Sequence, residues 1–161
     1  GADDPTDERF DLILADSGSA TVRGPGGVDV GPWEVVVENN PPIDWTNRQN
    51  LSRIDREAGA TVTWRTASAG DYVWIWGGNA DAVSNATAMF SCLVPAAEGA
   101  FDISSYVLRN LPVTHPDGER TLGWLSLTGL KDSQFRTFEA EGLDAGFATS
   151  YSRVRQRVSY R

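Results

Sequence analysis

The sequence predicts an all-β fold: an antiparallel two-sheet sandwich, Ig-like or jelly-roll-like, with one short helical turn. Three observations carry this. Short runs with period-2 patterning recur, as in Thr61-Val62-Thr63-Trp64 and Tyr72-Val73-Trp74-Ile75-Trp76. Clusters of Gly, Pro, Asn and Asp separate them, which is how short strands alternate with turns. Large flat side chains are plentiful, with six Trp against one His and one Cys.

At 161 residues the chain suits one domain with a proper core. Residues 1–9 are acidic and nearly devoid of core formers, so they are expected to form a mobile arm. Residues 10–161 are expected to form a single β-sandwich domain. Its first strands fall at Phe10 to Ala15 and Ala20 to Arg23. After a turn at Gly24-Pro25-Gly26-Gly27, a strand runs from Pro32 to Glu38. Asn39-Asn40-Pro41-Pro42 breaks it, since proline removes a ladder donor and restricts its neighbour. Further strands are expected at Ile43 to Trp45, Leu51 to Ile54, Ala60 to Thr66 and Asp71 to Trp76. The last two read as a hairpin joined by Ala67-Ser68-Ala69-Gly70, and Gly77-Gly78-Asn79 should end the run. Strands at Thr87 to Leu93 and Gly99 to Ile103 follow. Ser104 to Leu111 reads as a helical turn, with Ser at a capping position and Pro112 beyond. Thr121 to Leu127, Gln134 to Glu139 and a long final strand from Ala148 to Tyr160 complete the candidate runs, of which a sandwich of seven to ten strands is expected.

The net charge of −8 argues against nucleic acid, because a phosphate backbone demands a basic footprint. No apolar run has membrane-spanning length, so membrane insertion is not expected. No signal-peptide core is visible either; a processed chain would have lost one, which leaves export open. Cys92 cannot form an intrachain disulfide and reads as a small buried hydrophobe beside Phe90 and Val94.

Charge is unevenly placed. Asp3, Asp4, Asp7, Glu8 and Asp11 load the start, while Arg153, Arg155 and Arg157 alternate with Val154, Gln156 and Val158 near the end. The arginines therefore share one exposed strand face. They serve either as solvated charges that protect an edge strand or as one half of a contact with the acidic start of the chain, within one molecule or head-to-tail between molecules.

The order of short motifs resembles a known family. Gly26-Gly27-Val28-Asp29-Val30-Gly31-Pro32-Trp33 is followed by Trp45-Thr46-Asn47, Val62-Thr63-Trp64, Phe90-Ser91-Cys92 and Val107-Leu108-Arg109-Asn110-Leu111-Pro112. This succession, from about Gly24 to Tyr160, resembles an uncharacterised C-terminal β-sandwich domain of secreted proteins of soil bacteria, of acidobacterial type. Members have proline within the stretch where Ile103-Ser104 stands here. The resemblance implies an extracellular sandwich at the end of a longer exported protein, and it brings no catalytic residues.

The aromatic residues are the main site candidates. Tyr72, Trp74 and Trp76 point to one side of their strand, with Val73 and Ile75 opposite. Core packing is the first expectation for such rings; stacking on a sugar or contact with a protein is the alternative. Trp45, bracketed by Pro42 and Asn47, is the further candidate for exposure. His115 and Asp117 lie in a turn, where a catalytic dyad would not hold its geometry. No cofactor is expected. Calcium is the one cation with plausible donors, from Asp29, Asp44, Asn47, Asp71, Asn79 and Asp81, although no known loop spacing links them.

The expected function is that of a non-catalytic extracellular binding or structural module, acting in cell-surface or matrix adhesion. Its partner would be itself, another extracellular protein or a polysaccharide. Two alternatives are a carbohydrate-binding module using exposed Trp, and a fibre subunit that adds its acidic N-terminal strand to a neighbour. Enzymatic activity is not expected; a pocket holding two carboxylates would revive it.

Overall fold

The structure, a computed structural model, describes residues 18–39, 42–81, 84–114 and 123–161. The strand expected at Phe10 to Ala15, the acidic arm, His115 and Asp117 lie outside the described residues. Among the described residues there are twelve strands: β1 Gly18–Gly24, β2 Trp33–Asn39, β3 Arg53–Ile54, β4 Ala60–Thr63, β5 Tyr72–Asp81, β6 Ala86–Pro95, β7 Ala100–Ile103, β8 Trp124–Leu130, β9 Arg136–Phe138, β10 Gly146–Ala148, β11 Arg153–Arg157 and β12 Ser159–Tyr160. Two single helical turns, α1 Thr66–Ala69 and α2 Ser105–Leu108, join three short 3-10 turns. The fold is all-β and sandwich-like, as expected. By contacts the chain forms two compact units.

Among the described residues, the first unit comprises 18–39 and Lys131–Ser152. Here β1 and β2 form an antiparallel hairpin in which Val35 and Val37 turn inward and are buried. β9 pairs with β10, and Trp33 stacks on Phe138 with ring centres 4.5 Å apart. Both rings lie across a cross-strand glycine. A Cβ on Gly24 would come within 2.3 Å of the Trp33 indole, and one on Gly146 within 2.4 Å of the Phe138 ring. The missing side chain is what lets each ring lie flat on the neighbouring strand.

The second unit, Pro42–Leu130 with Arg153–Arg161, holds the main core. Its four-stranded sheet has the order β11-β8-β5-β6 and is antiparallel throughout. One face contributes Val73, Ile75, Val94, Leu125 and Leu127 to the interior. Facing contributions come from Val62 and Ile103 on the β4–β7 pair and from Ile54 and Tyr160 on the parallel β3–β12 pair. Leu108 on α2 and the nearby Leu111 complete the enclosure. Ser104 begins α2 through its backbone, whose carbonyl accepts from Val107 and Leu108; its side chain makes no capping bond.

Several elements differ from expectation. β4 and β5 do not form a hairpin: α1 and Gly70, at φ +79°, intervene, so β4 pairs with β7 while β5 uses both ladders on β6 and β8. Gly77-Gly78-Asn79 does not end β5, which continues to Asp81. The reason repeats the rule above, because the Phe90 ring lies over the cross-strand Gly77. Ile43 to Trp45 contributes only a single bridge, Trp45 to Trp64. The long final strand is three separate strands in two pairings and a sheet edge, which raises the strand count past ten.

Candidate functional site

Strand β5 alternates strictly, so burying Val73 and Ile75 sends Tyr72, Trp74 and Trp76 to the outer face of the four-stranded sheet. Trp74 and Trp76, two residues apart, stack with centres 5.2 Å apart and planes 9° from parallel. Trp124 on β8 meets Trp76 edge to face at 5.4 Å. The Trp74 Nε1–H donates to Ser91 Oγ on β6 at 2.6 Å, which fixes that ring.

On the other side, the β8 positions facing Trp74 and Trp76 are Thr128 and Ser126. Both are short and buried, and Ser126 Oγ donates to the Trp76 carbonyl. Arg153 and Arg155 on β11 stand opposite these same two residues. Short neighbours leave room for the long side chains to cross the strand. The Arg153 guanidinium lies 5.1 Å from the centre of Trp76, and that of Arg155 lies 4.9 Å from the centre of Trp124. Cation–π attraction holds a guanidinium in such a place.

The remainder of the face is apolar and open. Leu93 is 62% exposed, Met89 61% and Tyr72 38%. No Asp or Glu occupies any position of this face, on any of the four strands. In a chain of net charge −8, that segregation leaves a local positive field from Arg153, Arg155 and Arg157.

The sequence puts Tyr72, Trp74 and Trp76 on one side of their strand with core packing as the first expectation; they lie instead on the outer face, outside the core cluster, and Arg153, Arg155 and Arg157 share that face of the sheet. Trp45 is a correction. It is only 6% exposed, packs in the core, and donates through Nε1 to Asn47 Oδ1 at 3.1 Å. The bracketing loop closes over the ring instead of presenting it. The acidic partners expected for the arginines, Asp3, Asp4, Asp7, Glu8 and Asp11, lie outside the described residues. Trp124, Met89 and Leu93 were not anticipated; their signal was the alternation Trp124, Ser126, Thr128 and Met89, Ser91, Leu93, which puts them on the parity of the outer face.

Other groups are committed elsewhere. Asp44 pairs with Arg65. Asn47 and Asn79 bond to neighbouring protein groups, and Asp81 accepts from Ser84. Among the described residues, no three His, Cys, Asp or Glu side chains gather where a cation could be held. Cys92 packs against the core, and burial pushes its thiol up from the ordinary range.

A depression in the second unit is lined in part by Thr61, Pro95, Glu98 and Asp102. It does bring two carboxylates together. Both residues are exposed, and Asp102 accepts from the Thr61 hydroxyl at 2.5 Å. In the first unit, a depression beside Trp33 carries Arg23 and Glu34, which pair with each other at 2.5 Å.

Fold and face together define an all-β, sandwich-like protein with an aromatic, arginine-lined sheet surface. Compared with protein families, curated proteins and solved structures, the chain finds no match in any. Among the described residues, no helix is long and apolar enough to cross a membrane.

Proposed function

We propose that this chain is a non-catalytic extracellular binding module, acting in adhesion at a cell surface or matrix, with the outer face of the four-stranded sheet as its contact surface. One observation supports this above others: three half-exposed indoles adjoin exposed Leu93 and Met89 on the only face of that sheet turned away from the core. Isolated exposed apolar residues are ordinary, but a contiguous aromatic and aliphatic patch on a regular sheet marks a contact surface. Indoles add large rigid area with little entropy to lose. The extracellular setting follows from the family that the motif order resembles.

The test uses Leu93→Glu and Met89→Glu, which change exposed positions and leave the indole packing alone. Immobilised cell-wall and matrix polysaccharides should retain the native chain and retain the double variant much less, with circular dichroism unchanged. Equal retention of both proteins would exclude this face. Release of new reducing ends, abolished by Glu98→Gln or Asp102→Asn, would instead establish a hydrolase.

A further inference from the structure

We infer that the ligand of this face is an acidic polysaccharide, a polyuronate whose carboxylates pair with Arg155 and Arg157 while its sugar rings lie over the adjoining apolar patch of Tyr72, Trp74 and Leu93. This deepens the binding reading above and rests on it.

The argument begins with what stacking does to an arginine. A guanidinium lying over an indole spends its π face on the ring and keeps its in-plane N–H donors directed outward. Those donors form the fork that matches a carboxylate bidentately. The Arg155 guanidinium carbon lies over the Trp124 ring, 4.9 Å from its centre, and that contact reduces the rotamer freedom left to lose on binding. Among the described residues, neither Arg155 nor Arg157 forms an ion pair. Among the described residues, no acid occupies this face to repel an incoming anion.

Spacing favours a linear polymer. Arg153, Arg155 and Arg157 alternate along one edge strand, so successive cations stand about 6.8 Å apart. A row of this kind, flanked by indoles and Leu93, suits a chain that offers both carboxylates and apolar C–H faces. An acidic peptide is the less favoured source. It would add to the strand edge through backbone bonds, yet the Arg155 carbonyl already accepts from Arg48 Nη2 at 2.6 Å.

The test compares polygalacturonate, the same polymer fully methyl-esterified, and poly-glutamate, by titration calorimetry with the native chain. Polygalacturonate should bind at low ionic strength and weaken by roughly tenfold or more near 0.5 M salt as exposed charges are screened. Esterification should cost at least about tenfold, because it removes charge and keeps the sugar backbone. Arg155→Ala with Arg157→Ala should do the same, and Arg155→Lys should restore only part, since a lysine keeps the charge and loses the stacked fork. Equal binding of the esterified polymer, or indifference to the arginine pair, overturns the inference. If that binding is still lost with Leu93→Glu, the binding face stands and only its ligand class falls. Poly-glutamate binding as tightly as polygalacturonate overturns the polysaccharide assignment. No binding to any charged or neutral polymer removes both readings.

Discussion

Arg155 lies with its guanidinium 4.9 Å from the centre of the Trp124 ring, reaching it diagonally across the buried Ser126. The contact joins an edge strand to its neighbour through side chains as well as the ladder. Arg155→Ala should therefore lower stability by about 0.5–1 kcal/mol, a fall in melting temperature of about 1–4 °C for a chain of this size. Trp emission should move to longer wavelength as water reaches the indole. Arg155→Lys should recover part of the stability and less of the emission shift. A melting temperature unchanged in Arg155→Ala would show the stacking to be energetically idle.

Asn47 is the pivot of the Trp45 corner. Its Oδ1 accepts from Trp45 Nε1–H and from the Thr63 amide, both at 3.1 Å, while its Nδ2 donates to the Thr61 carbonyl at 2.8 Å. Removing the amide orphans an indole donor in the core, where desolvation is not repaid. Asn47→Ala should cost about 2–3 kcal/mol. A urea titration would show a lower midpoint at an unchanged slope. A loss under about 0.5 kcal/mol would mean that water replaces all three bonds.

The same corner shows what the sequence could and could not convey. The period-2 runs identified the strand that carries most of the aromatic face, because Tyr72, Trp74 and Trp76 must share a side once Val73 and Ile75 are buried. The loop around Trp45 gave no such parity, and composition alone made the ring look exposed; three hydrogen bonds from one asparagine decided otherwise. Strand pairing was equally hidden. Nothing in residues 60–76 announces that β4 and β5 join different sheets, since that choice depends on β7 and β8, far along the chain. The Trp124 contribution was missed for the same reason. Its position on the outer face is set by register with β5.

Gly77 and Gly78 were misread as a stop signal because glycine in a strand is usually a weakness. Here a Cβ on Gly77 would sit 2.6 Å from the Phe90 ring and 2.9 Å from the Tyr160 hydroxyl. Both neighbours are held by the core, so overpacking should cost Gly77→Ala about 1–3 kcal/mol. Gly27→Ala is the control, since its Cβ would meet nothing within 4 Å. Parallel thermal melts should show a clear fall for the first and almost none for the second. Equal melts would mean that Phe90 swings aside without loss.

Tyr160 supplies a pH dependence. The residue is fully buried and its hydroxyl donates to the Trp124 carbonyl at 2.8 Å. Burial pushes the phenol well above its ordinary value of 10.0. Above about pH 10 the unfolded chain gives up a proton that the folded chain keeps, so the unfolded state binds fewer protons and stability falls as pH rises. The contribution is fully present below that pH and is lost at up to about 1.4 kcal/mol per pH unit above it. The Cys92 thiol, also raised by burial from 9.0, acts in the same direction, so the measurement is made in a Cys92→Ala background. Tyr160→Phe should cost about 1 kcal/mol at pH 8, where it only removes a hydrogen bond, and should flatten the alkaline slope. The two denaturation curves should therefore cross near pH 11, with the phenylalanine variant the more stable beyond it. Parallel slopes for the two proteins from pH 8 to 11.5 would show that the phenol ionises in place without unfolding cost.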